Sequence, residues 1–142
     1  MDKLIVELTD RCNLRCGHCP SGRHGGHGLL APGLMGRVAL EAGAQGIDHV
    51  SFTGGEATLH PGFGEMVAST CDAGLDYSFV TNGWSLPKVI DRVLPHRQRL
   101  RMITFSLDGA SEATHDALRG AGSYRRVLRA VSLCVYRALP FS

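Results

Sequence analysis

Cys12, Cys16 and Cys19 place three thiols within eight residues, spaced C-x3-C-x2-C, directly after the apolar run that begins at Leu4. A loop can turn all three sulfurs toward one point. Thiolates are soft ligands that select iron–sulfur clusters, zinc or copper(I). A structural zinc closes its shell with four ligands, and a cubane cluster presents four irons. Three cysteines therefore leave one coordination position open, where a substrate or cofactor can bind. His18, His24 or His27 could instead supply a fourth ligand and close a Cys3His zinc site, and spacing alone leaves both readings standing. A disulfide framework is disfavoured, because five cysteines is an odd number and no charged-then-apolar leader precedes them. Inert core thiols are disfavoured by the polar setting of Arg11, Asn13, Arg15, Gly17 and His18.

The elements that must position this loop follow from periodicity. Leu4, Val6 and Leu8 alternate with Ile5 and Glu7, so 3–8 reads as a strand. The cysteine loop follows, extended by the Gly- and His-rich stretch 22–28. A helix is expected over 32–44, with Pro32 in its first turn and Gly46 at its end. Residues 47–53 read as a second strand, ending in Thr53-Gly54-Gly55-Glu56. A second helix is expected over 61–73, with Phe63, Met66, Val67, Thr70 and Cys71 on one face. Residues 77–81 read as a third strand, ending in Asn82-Gly83. A third helix is expected over 85–94, broken by Pro95. Residues 101–106 read as a fourth strand, ending in Leu107-Asp108-Gly109. A short helical turn is expected over 112–118. Ser123 is the expected N-cap of a last helix over 123–137, which should bury Val127, Leu128, Val131, Cys134 and Val135. Cys71 and Cys134 thus read as core residues, and Arg125, Arg126 and Arg129 as a solvated face.

Four β-α units in series imply an α/β fold with a parallel sheet and right-handed crossovers. Each unusual motif follows a strand, and ligands bind beyond the carboxyl ends of parallel strands. Four independent motifs are therefore expected at one edge.

Residues 12–19, CNLRCGHC, resemble the cluster loop of the radical S-adenosylmethionine (radical SAM) enzymes. The resemblance implies that Cys12, Cys16 and Cys19 hold a [4Fe–4S] cluster and that the amine and carboxylate of SAM chelate its fourth iron. It implies reductive cleavage of SAM to methionine and a 5′-deoxyadenosyl radical, which abstracts hydrogen from the substrate. The residue before the third cysteine is often aromatic in the family and packs on the adenine; here it is His18. Gly54-Gly55-Glu56-Ala57 resembles the family's GGEP motif, with Ala57 in place of proline. On that likeness Gly54 and Gly55 let the backbone approach the cofactor, and Glu56 accepts from its ammonium. The alternative is a plain turn with Glu56 solvated. Ser106-Leu107-Asp108-Gly109 resembles the fourth-strand motif of the branch that modifies peptides and makes cofactors. Ser106 and Asp108 would then bond the ribose or carboxylate of SAM, Arg119 would pair with the carboxylate, and Asn82 would meet the adenosyl part.

The same resemblance implies a partial (β/α)6 TIM-like barrel of which this chain carries four β-α units. Residues 1–142 read as the N-terminal portion of a radical SAM core domain, with residues 138–142 resembling the start of a fifth strand and any auxiliary-cluster (SPASM) domain lying outside. An electron donor such as flavodoxin or ferredoxin is implied, together with a peptide or small-molecule substrate. Composition sets the remaining bounds. A formal net charge of +2 and 6% aromatic residues give no case for nucleic acid, and no apolar run is long enough for a membrane span. Reactive thiols suit a reducing cytoplasm. Two other expectations stand beside the enzyme: a non-catalytic zinc or iron–sulfur binding module, and an inactive fragment of such an enzyme.

Overall fold

In a computed structural model, which describes residues 3–19 and 28–142, four strands form one parallel sheet. They are β1 (Lys3–Thr9), β2 (His49–Gly54), β3 (Asp76–Thr81) and β4 (Leu100–Phe105), in the spatial order β1-β2-β3-β4. The histidines His24 and His27, with most of the glycine-rich stretch, lie outside the described residues. Sequential order means that each crossover of one hand adds its strand on the same side, so the helices collect on one face. The helices are α1 (Pro32–Ala44), α2 (Phe63–Asp72), α3 (Leu86–Val93), α4 (Glu112–Arg119) and α5 (Ser123–Arg137). Accordingly α1 packs on α2, α2 on α3, α3 on α5 and α4 on α5. This is a singly wound wall of β-α units, the expected segment of a TIM-like barrel.

Strand alternation decides what the wall buries. Val6, Phe52, Phe79 and Ile103 stand in one register row, and Leu4, Val50 and Tyr77 in the next. These side chains face the helices, where Phe63 of α2 meets Phe52 and Phe79 edge-on at 6.3 and 5.3 Å. Such ring pairs contribute about 0.5–1.5 kcal/mol each beyond their burial. Residues of the opposite parity line the open face of the sheet, where Ile5, Glu7, Val80, Met102 and Thr104 are exposed and the small Ser51 and Ser78 of the central strands are buried. Among the described residues no helix is long and apolar enough to cross a membrane.

Several local expectations are extended or corrected. The third α-helix does end before Pro95, as expected, and what the sequence did not show is that a 3-10 helix, Leu94–Arg99, follows it, since proline needs no N–H in a first turn. The short turn near 112–118 is a full helix, closed at its N-terminus by a capping box between Ser111 and Thr114. Ser123 is not the N-cap of α5. Gly122 occupies that position at φ 81°, and the carboxylate of Asp116, from the preceding helix, accepts from the Gly122 and Tyr124 N–H groups at 2.6 and 2.9 Å. The buried face of α5 is Ser123, Val127, Ala130 and Cys134, whereas Leu128 and Val135 are 42% and 63% exposed. The small Ala130 is what permits closeness here: it packs beneath Gly83, where an added Cβ would meet its methyl at 3.2 Å. Phe141 forms a parallel bridge with Ile103, and Ser142 exchanges hydrogen bonds with Ile103 and Phe105, so the tail runs along β4 as a fifth strand would.

Candidate functional site

The cysteine loop is clamped from three sides at the carboxyl edge of the sheet. The first clamp is backbone. The Gly55 N–H donates to the Thr9 carbonyl at 2.7 Å, and the Glu56 N–H donates to the Arg11 carbonyl at 2.8 Å. Gly54, at φ 133°, sits so close that a Cβ there would fall on the Thr9 carbonyl; a Cβ on Gly55 would fall on that of Arg11. The glycine pair is thus required by the approach of one loop to another, before any ligand is considered.

Glu56 makes the second clamp. It is 2% exposed. Its Oε1 accepts from Thr58 Oγ1 at 2.5 Å, Thr58 N at 3.3 Å and Thr81 Oγ1 at 2.8 Å; its Oε2 accepts from Asn82 N at 2.7 Å. The solvated-turn reading of Glu56 is therefore wrong. The carboxylate ties the end of β2 to the end of β3, and Oε2 is the oxygen with capacity left. Asn82, held by this bond, reaches the cysteine loop: its Nδ2 donates to Asn13 Oδ1 at 2.9 Å and lies 3.9 Å from Cys12 Sγ. The Leu14 N–H also points at Cys12 Sγ, at 3.5 Å.

The third clamp comes from β4 and α4. The Gly17 N–H donates to the Leu118 carbonyl at 3.1 Å. Asp108 Oδ2 accepts from Arg119 Nε and pairs with His18 Nε2 at 3.1 Å, while Arg119 Nη1 lies 3.9 Å from Cys16 Sγ. The Asp108 N–H donates to Nδ1 of the fully buried His115, whose ring meets that of Tyr124 at 5.7 Å with the planes tilted by 58°. Gly109 allows this docking, since a Cβ would collide with Thr114 and the His115 backbone. Ser106 is anchored through its backbone, its N–H donating to the Thr81 carbonyl at 2.9 Å.

Electrostatics separate the site from the core. Hydrogen bonding from Arg119 holds Asp108 below the usual carboxylate range. Burial raises the Cys12 and Cys16 thiols, and at Cys16 the Arg119 charge opposes that rise. Burial pushes Cys71 and Cys134 up to about 11; Arg99, Asp72 and Asp76 also act on Cys71, and burial alone acts on Cys134. Both cysteines are packing residues, as expected. Among the described residues no three His, Cys, Asp or Glu side chains converge tightly enough for a single metal ion. A cubane takes one cysteine per iron, which spreads its ligands wider than one ion does. The donor set suits such a cluster: three soft thiols on one loop, with N–H groups directed at two of the sulfurs.

Every site residue expected from the sequence lies at this edge. The structure brings together His18, Asp108, Arg119 and Cys16 as one group, and Glu56, Asn82 and Cys12 as another. Thr81, Asn13 and His115 join these groups. Thr81 and Asn13 carry no mark of their own in the sequence. Their roles depend on partners, Glu56 and Asn82, that lie 25 and 69 residues away.

The chain belongs to the radical SAM superfamily, which residues 6–140 match. It is 34% identical over 134 residues to the mycofactocin maturase MftC of Mycobacterium ulcerans, covering 90% of this chain and 35% of that protein. It is 31% identical over 140 residues to a probable GTP 3′,8-cyclase of Saccharolobus solfataricus, covering 95% of this chain and 44% of that one. Among solved structures, Streptococcus suis SuiB bound to S-adenosylmethionine superposes with a TM-score of 0.87 at 17% identity, over 98% of this chain and 32% of SuiB. Native anSMEcpe with bound AdoMet gives 0.79 at 20% identity, over 99% of this chain and 42% of that one. These two likenesses show the fold. The chain spans less than half the length of each of these proteins.

Proposed function

We propose that these residues form the cluster- and SAM-binding part of a radical SAM enzyme that acts on a peptide. The observation that carries this reading is the three-sided clamp on the cysteine loop, which holds Cys12 beside Asn82 and Cys16 beside Arg119 and its partner Asp108, with Cys19 on the same loop. When bound, a [4Fe–4S] cluster and SAM supply reductive cleavage of SAM to a 5′-deoxyadenosyl radical that abstracts hydrogen from the substrate. Cys12, Cys16 and Cys19 would hold the cluster as thiolates, and because burial raises the Cys12 and Cys16 thiols, assembly releases protons there. Glu56 Oε2, which accepts one hydrogen bond where Oε1 accepts three, would be the acceptor for the SAM ammonium, beside the Gly54-Gly55 backbone. Asn82 and Ser106 flank the place for the adenosyl part, and the ring of His18, oriented by Asp108, offers a flat surface to the adenine. A one-electron donor such as flavodoxin or ferredoxin would supply the reductant.

Peptide substrates are favoured by the relationship to the maturase MftC and by the fold shared with SuiB, which has been solved bound to its precursor peptide SuiA. The likeness to a GTP 3′,8-cyclase supports a second reading, a small-molecule cofactor precursor. The site assignment is tested by iron and sulfide content after anaerobic reconstitution. Cys12→Ala, Cys16→Ala and Cys19→Ala should each lose the cluster, whereas Cys71→Ala and Cys134→Ala should retain it. Equal loss from all five would overturn the assignment, and stoichiometric zinc in place of iron would favour a non-catalytic binding module.

A further inference from the structure

We infer that Arg119 and Asp108 form a charge couple that sets the reduction potential of the cluster through Cys16, Arg119 raising it and Asp108 lowering it. The inference rests on the cluster assignment above and goes beyond it, because it gives Arg119 work to do before SAM arrives. The guanidinium is divided between two partners. Its Nε is paired with Asp108 Oδ2, and its Nη1 is directed at Cys16 Sγ, 3.9 Å away. The side chain is only 14% exposed, so its charge is weakly screened. Its position is fixed from below, since Arg119 is the last residue of α4 and its neighbour Leu118 receives the Gly17 N–H of the cysteine loop.

Reduction adds one negative charge to a cluster. A cation and an N–H donor at a ligating sulfur stabilise that added charge, and a carboxylate nearby opposes it. The three sulfurs are treated unequally. Cys12 faces neutral donors from Asn82 and Leu14, and Cys16 faces a cation. Arg119 thus acts through a ligand, as a positioning and tuning residue.

The test is an EPR-monitored redox titration of the reconstituted 142-residue protein without SAM. Arg119→Leu should lower the reduced-to-oxidised ratio at a fixed potential about tenfold, a fall of ~59 mV for a one-electron couple. Asp108→Asn should shift the midpoint by a similar amount in the opposite direction, and the double variant should lie between the two singles. General damage to the fold moves both singles the same way, so opposite signs are the signature. Where Arg119→Leu fails to take up iron, Arg119→Lys and Asp108→Asn carry the test: the lysine variant should fall less than the leucine variant is expected to, and Asp108→Asn must still rise. Midpoints unchanged in variants that hold a full cluster would overturn the inference and leave the enzyme reading intact. So would a lost SAM affinity with an unchanged midpoint, which would make Arg119 a SAM ligand only. A wild-type protein that binds no cluster would remove both.

Discussion

Replacing Glu56 by alanine separates a residue kept for a ligand from one the fold requires. The substitution removes the acceptor of four hydrogen bonds, leaving the Thr58 and Thr81 hydroxyls and the Thr58 and Asn82 N–H groups without it. The hydroxyls can rotate to other acceptors. The Asn82 N–H cannot, and it lies in a residue that is 5% exposed. An unpaired buried donor costs about 1–3 kcal/mol, and bonds to a carboxylate are the stronger kind, so Glu56→Ala should lose about 3–5 kcal/mol. Against a total stability of about 5–15 kcal/mol this is a large fraction. Glu56→Gln keeps the shape and one oxygen but turns an amide N–H₂ toward a donor, and should lose about half as much. Urea unfolding followed by far-UV circular dichroism reads both losses as lower midpoints at unchanged slope. An alanine variant as stable as wild type, or more stable, would refute the reasoning and return Glu56 to a purely ligand-binding role.

Three further outcomes are expected. Gly55→Ala drives a Cβ into the Arg11 carbonyl and should cost about 2–4 kcal/mol while lowering iron uptake; a variant with both unchanged would show that the two loops are not locked together. His49, His60 and His115 all have pKa values lowered chiefly by burial, so each binds its proton more weakly folded than unfolded. Their contribution is fully present above the unfolded value of about 6.5 and is lost as pH falls through the lower folded values, so the melting temperature should drop between about pH 7.5 and pH 5; a rise would contradict the assignment. Ser111→Ala removes half of the capping box on α4 and should cost about 1 kcal/mol in urea unfolding, with no effect expected if the helix is held by packing alone.

Much of the architecture was readable because it is local. The β-α alternation and the motif after each strand placed Cys12, Glu56, Asn82 and Asp108 at one edge, and 32–44 and 123–137 are the bounds of α1 and α5. What could not be read depends on residues far apart in the chain. The face of α5 follows the neighbour it meets, so Ala130 is buried and the larger Leu128 is not. Helical spacing allows either choice. Asp116 replaces Ser123 as the cap because α4 and α5 are joined by a turn tight enough to bring the carboxylate round. Glu56 was legible as an acidic residue in a glycine turn, but its burial depends on Thr81, which reaches it only once β2 and β3 pair. Pairing of Arg119 with Asp108 likewise needs α4 folded back on the end of β4.

The most direct test of the account is EPR of the anaerobically reconstituted, dithionite-reduced protein, recorded with and without SAM. The account predicts a reduced cubane signal carried by Cys12, Cys16 and Cys19, and a change in that signal when SAM is added. A cluster signal indifferent to SAM would contradict the cofactor site, and the absence of any cluster would contradict the central claim.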